Sequence, residues 1–144
     1  MRLPAIVFAE EEIKAFDAKE YKEKTGFRKV EVNSDGSITI TMTKPKYDEM
    51  RQEAIKGTGR VLDETVGTEE EPYIIAVAAD NGFSSIIADV DRDGYGSGGE
   101  SIILEIGISA MTYQAIAGDK LDCEIMIRDA LTKETIISRK YSAD

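Results

Sequence analysis

In the stretch 37–43, Ile38, Ile40 and Met42 alternate with Ser and Thr, the period of a half-buried strand. Val30 and Val32 carry the same period on the far side of "NSDG", where Asp35 and Gly36 suit the positive φ of a tight turn. This pattern predicts a β-hairpin. Tyr47, Met50, Ala54, Val61, Leu62 and Thr65 then recur at steps of three and four, which predicts a helix, with Thr43 as its cap and Pro45 in its first turn. Gly57 and Gly59 interrupt that stripe and predict a bend or a frayed segment.

The grammar repeats. Tyr73–Ala79 reads as an apolar strand, "DNG" at 80–82 as a turn and Phe83–Asp89 as a second strand. "ESIILEIGISAMTYQAIAG" at 100–118 is apolar on nearly all sides, so it predicts a helix covered by the rest of the molecule and ended by Gly118. Leu121–Arg128 and Glu134–Tyr141 close the chain as a third hairpin. Residues 9–24 mix charges around Ile13, Phe16 and Tyr21 and predict only an arm or a marginal helix over 1–26, ahead of a single domain at 27–144. The expected fold is α+β in the order ββαββαββ: two layers, one antiparallel sheet from three hairpins, two main helices on one face and the second helix central.

Composition narrows the chemistry. The chain has 144 residues, enough for one ordinary core. Its net charge of −10, from 28 acidic and 18 basic side chains, opposes nucleic acid and anionic lipid as partners and leaves a protein as the expected one. Histidine is absent and Cys123 is the one cysteine. That removes the commonest general base, any intrachain disulfide and any thiolate zinc cluster, so an enzyme is not expected. The opening "MRLPAIVFAEEE" is too short for a signal-peptide core, and charge or glycine breaks every apolar run before it could span a bilayer.

One segment carries candidate chemistry. "DVDRDGYGSGGE" at 89–100 places acidic residues at its first, third, fifth and twelfth positions and glycine at its sixth. A twelve-residue calcium loop uses these places: Asp89, Asp91, Asp93, the Tyr95 carbonyl, Ser97 and Glu100 would surround the ion. Position eight is glycine rather than apolar, and a strand rather than a helix leads in. The plainer reading is an acidic connection in which Ser97 or Ser101 caps the following helix and Glu100 favours its dipole. Cys123, on the apolar face of its strand, reads as a buried inert thiol.

"EVNSDGS" at 31–37, "TMTKPKY" at 41–47, "YQAIAG" at 113–118 and "RDALTKETI" at 128–136 together resemble a largely uncharacterised family of small lipoproteins from Firmicutes. The likeness runs from about Ala18 onward and rests on turns and caps. It implies a non-enzymatic binding or structural module of a Gram-positive bacterium, held in the cell envelope or secreted, although no leader or lipid-accepting cysteine stands at this N terminus. The other expectation, from charge alone, is a cytoplasmic inhibitor of mobile-element type whose acidic face mimics nucleic acid and occupies a basic protein.

Overall fold

The computed structural model describes residues 1–5, 8, 10–96 and 100–142, without the side chains of 100 and 101. The elements run β1 (Arg2–Leu3), α1 (Glu10–Ala15), α2 (Ala18–Thr25), β2 (Lys29–Val32), β3 (Ile38–Thr41), α3 (Lys44–Glu64), β4 (Ile74–Ala79), β5 (Ser85–Val90), α4 (Arg92–Tyr95), α5 (Glu100–Ala117), β6 (Asp122–Asp129) and β7 (Thr135–Ser142). The α+β class and all three hairpins are present. No described helix is long and apolar enough to cross a membrane.

The strands do not form the single antiparallel sheet that the repeat suggested. They divide into a three-stranded sheet, β1-β3-β2, and a four-stranded sheet, β4-β5-β6-β7, in which β5 and β6 lie parallel. The parallel pairing follows from the long link between the second and third hairpins. An 18-residue α5 carries the chain back about 27 Å along the sheet, so β6 starts beside the start of β5 and must run the same way.

The first hairpin turns where the sequence placed it. Gly36 has φ +79°, Asn33 N–H donates to the Ser37 carbonyl at 2.8 Å, and the Asp35 carboxylate accepts from Ser37 N–H at 3.0 Å. Ile38 and Ile40 are buried. The N-terminal segment is less marginal than expected: β1 pairs with β3, and Leu3 joins the core. Asp17 caps α2 through Lys19 and Glu20 N–H, and Gly26, at φ +71°, ends it.

Central placement of α5 is found as expected. Its buried residues, among them Ile102, Ile103, Ile106, Ala110 and Met111, meet α3, β6 and β1, so one helix is shared by both sheets. Gly107 permits the close approach to the larger sheet: a Cβ there would stand 3.1 Å from the Tyr141 ring and 3.4 Å from Ile125 Cδ1. Gly118, at φ +76°, terminates the helix. Its N–H reaches the Ala115 carbonyl and Asp119 N–H the Gln114 carbonyl, the paired bonds of a left-handed helix stop.

The other helix departs from expectation at two places. Thr43 sits at the N-cap but its side chain makes no capping bond. The helix also runs unbroken through Gly57 and Gly59, because Thr58 and Leu62 are buried and tertiary packing outweighs the glycine cost. A Cβ at either glycine would meet nothing within 4 Å. Gly57→Ala and Gly59→Ala are therefore each expected to raise stability by about 1 kcal/mol, read from urea midpoints; a loss in either would mean that the glycine serves a contact.

Candidate functional site

The acidic loop lies at the carboxyl ends of the parallel pair β5 and β6. Val90 is buried, which holds the strand conformation one residue past Asp89 and turns Asp89 to the opposite, open face of the sheet. There its register partner across the parallel pair is Arg128. The Asp89 carboxylate accepts from Arg128 Nε at 2.7 Å and Nη2 at 3.2 Å, and from Lys133 Nζ at 3.0 Å. The Arg128 bonds first, with Lys133 behind them, hold this carboxyl below its ordinary value.

The next acids have other work. Asp91 is the N-cap of α4, its Oδ1 accepting from Asp93 N–H at 3.4 Å, while Tyr95 N–H donates to its carbonyl at 2.9 Å. Asp93 is exposed in the first turn. The Tyr95 ring stands edge-on to Tyr73, with centroids 5.9 Å apart. Gly94, the presumed sharp-turn residue, is outside the left-handed region; what it provides is room, since a Cβ there would lie 2.7 Å from Tyr73 Cβ. Ser97 and the Glu100 side chain are outside the described residues. Among the described residues no three of His, Cys, Asp and Glu gather closely enough to hold a metal ion.

A calcium ion at this loop would have to draw Asp89 away from two cations. The melting temperature is thus expected to be equal in millimolar calcium and in chelator at matched ionic strength. A calcium-dependent rise that disappears in Asp91→Asn/Asp93→Asn would support the loop as a metal site.

The same pairing sets a pH dependence. A carboxyl whose folded value lies below its ordinary 3.8 stabilises the fold fully above 3.8, and that contribution is lost as pH falls through the folded value. Asp89→Asn should melt below the parent at neutral pH, with the gap closing under acid. A gap that stays constant down the acid limb would show the pair to be inert.

Around this end of the sheet the structure assembles a hollow of about 460 Å³, whose lining includes the acidic Asp91 and Asp93, Arg92 between them, and the apolar Ile75 and Leu131. Asp129, nearly buried, is also in its lining. Its Oδ1 accepts from Leu131 N–H at 2.8 Å and Thr132 N–H at 3.4 Å, and these bonds, that to Leu131 foremost, hold its pKa down. Ala130 N–H is tied to the Val90 carbonyl at 2.9 Å, Lys133 N–H returns to the Asp129 carbonyl, and Lys133 takes φ +63°. This bonded turn holds Leu131 out at 92% exposure, beside Ile75 at 53%. Sequence reasoning missed Leu131, because a lone leucine in a polar turn carries no period.

A second hollow, of about 300 Å³, collects Glu64, Glu69, Glu70, Glu71 and Glu105. Partial burial, then the charges of Glu105 and Glu70, push Glu71 up, against a hydrogen bond with Tyr73. Cys123 is fully buried, and burial, with the charges of Asp80 and Asp122, pushes its thiol up to about 11. It is protonated and inert at neutral pH.

Comparison of the chain with family profiles, curated proteins and solved structures returned no match.

Proposed function

We propose that the protein is a non-enzymatic binding module that engages a protein partner at the hollow beyond β5 and β6. The observation that carries this reading is Leu131, an almost fully exposed leucine held outward by a hydrogen-bonded turn, in a hollow whose lining also holds Ile75, Pro72, Asp91, Arg92 and Asp93. Arg92 is paired with Glu134 and Asp129, so an apolar anchor in a hollow shared with Asp91 and Asp93 suits a segment that offers an apolar side chain next to a basic one. Turns, helix stops and strand ends of this kind are where a rigid scaffold presents recognition residues. Placement in the envelope of a Gram-positive bacterium, as a secreted or lipid-anchored form, is supported by the likeness of the 31–37, 41–47, 113–118 and 128–136 segments to the small lipoproteins.

The experiment is affinity capture from an extract of the native organism with the parent and with Leu131→Glu, each in calcium and in chelator. A partner held by the parent and lost from the variant supports the reading. Capture that ignores the substitution would move recognition elsewhere.

The cytoplasmic acidic inhibitor is the second reading, and one observation favours it: the glutamate-lined hollow, whose lining holds no lysine or arginine. Such a face would take a basic protein, in binding that weakens steeply with salt. Glu69→Gln/Glu70→Gln should then abolish capture while Leu131→Glu leaves it intact.

A further inference from the structure

The two sheets have four edges, and three of them carry charge: β1 has Arg2, β2 has Lys29 and Glu31, and β7 has Arg139 and Lys140. Charged side chains on an edge discourage another strand from adding to it. The fourth edge is β4, Ile74–Ala79, whose sequence IIAVAA has no ionisable group in a chain with 28 acidic residues. It is also exposed: Ile75, Ala76, Ala78 and Ala79 all face solvent. Its one irregularity falls between Ile74 and Ala76, leaving Ala76–Ala79 regular.

The ladder shows which backbone groups are open. Asp80 N–H donates to the Ser85 carbonyl at 3.1 Å. Hydrogen-bonded and non-bonded pairs alternate from there in an antiparallel pair, so the N–H and carbonyl of Ala79 and of Val77 point away from β5. The flanking Asp80 carboxylate is exposed but engaged in its own turn, accepting from Ser84 and Ser85 N–H at 2.7 and 3.0 Å.

We propose that the β4 edge is where a second copy of this chain adds, antiparallel and about a two-fold axis, joining two four-stranded sheets into one of eight. The strand is complementary to itself. With Val77 opposite Val77 of the second copy, Ala76 faces Ala78 on each side of the axis, the outward groups of the two Val77 residues meet, and those of Ala79 are directed at the segment of the second copy that carries Ile75. Charge favours the same place. Two molecules of net charge −10 repel over most of their surfaces, and this strip itself carries no carboxylate. The pairing buries one short edge, less than the roughly 1,200–2,000 Å² of a standard stable interface, so it forms at high protein concentration. The residual repulsion makes it stronger in salt, whereas a basic peptide added to the same edge would be held more weakly in salt.

Ala79→Pro tests the backbone directly. It removes an outward N–H that the β4–β5 ladder does not use, on a strand where an edge proline is tolerated. Ala79→Lys keeps the N–H and gives the edge a charge like those on the other three. Sedimentation equilibrium over rising protein concentration, in low and high salt, should show the parent approaching twice its monomer mass, more completely in high salt. Both variants should stay monomeric with the circular dichroism and melting of the parent. Should the proline variant fail to fold, the lysine variant decides. A parent that is monomeric throughout, one that grows beyond a dimer, a dimer that salt weakens, or a lysine variant that pairs like the parent would each overturn the proposal. Leu131→Glu leaves β4 intact and should dimerise as the parent does, which separates this result from the partner-capture test.

Discussion

Ile106→Asp is expected to leave the chain unfolded at ordinary temperature. Ile106 is fully buried in α5, the helix that meets β1 and β6 at once. Ile106 belongs to the buried hydrophobic cluster, so an aspartate there would be a charge in a medium that solvates it poorly. The cost is several kcal/mol against a total stability of about 5–15 kcal/mol. Ile108→Asp is the control. Ile108 is 37% exposed, and its carboxylate would reach water, so that variant should melt within a few degrees of the parent. Circular dichroism and urea unfolding of both variants check this. If Ile106→Asp folds and melts like the parent, α5 is not the shared core of the two sheets.

The second large effect is expected at Gln114. This side chain, 2% exposed, donates through Nε2 to the carbonyls of Asp122 at 2.8 Å, Gly82 at 3.2 Å and Phe83 at 3.4 Å, and its Oε1 accepts from Asp122 N–H at 3.0 Å. It thereby fastens the end of α5 to the β4–β5 turn and to the first residue of β6. The turn needs that support. Phe83 takes φ +53°, an unfavourable conformation for a bulky residue, and is kept in it by burial of its ring edge-on to Tyr113 with centroids 5.0 Å apart. Gln114→Leu fills the volume but orphans an N–H and carbonyls in the interior. A loss on the order of 3–5 kcal/mol is expected, measured as a fall in the urea midpoint with an unchanged slope. A loss below about 1 kcal/mol would mean that water replaces the amide, and the clamp would then carry little of the fold.

These two sites show how far the chain could be read in advance. Ile106 and Ile108 are equivalent in a segment that is apolar all round, and periodicity says only that the helix is covered. The direction of its least-covered face depends on where α3 and the two sheets dock. Gln114 belongs to the "YQAIAG" segment that figured in the family likeness, yet nothing local marks it as a clamp, because its partners are Gly82, Phe83 and Asp122. The DNG turn was legible, but its left-handed residue is Phe83 rather than Gly82, a choice made by the Tyr113 contact.

The acidic loop is a further case. Its spacing matches a calcium template at Asp89, Asp91 and Asp93, and a template tests spacing alone. Asp89 pairs with Arg128 and Lys133 because β5 and β6 are parallel in a particular register, and no local pattern encodes that register.

What the sequence determined by itself was most of what depends on near neighbours. The alternation in Ile38–Met42, the Asp35–Gly36 turn, the Gly118 stop and the all-round apolar α5 fixed three hairpins, two main helices and the α+β class, because strand period, turn φ and helix coverage are short-range properties of the chain. The tertiary structure decided the rest: the division into two sheets, the parallel pairing behind α5, the ion pairs that occupy Asp89, the outward Leu131 and the uncharged β4 edge. Each of these depends on which segments meet after a long crossover. That is governed by the packing of α5 against partners from both halves of the chain, an interaction too distant in sequence to leave a local signature.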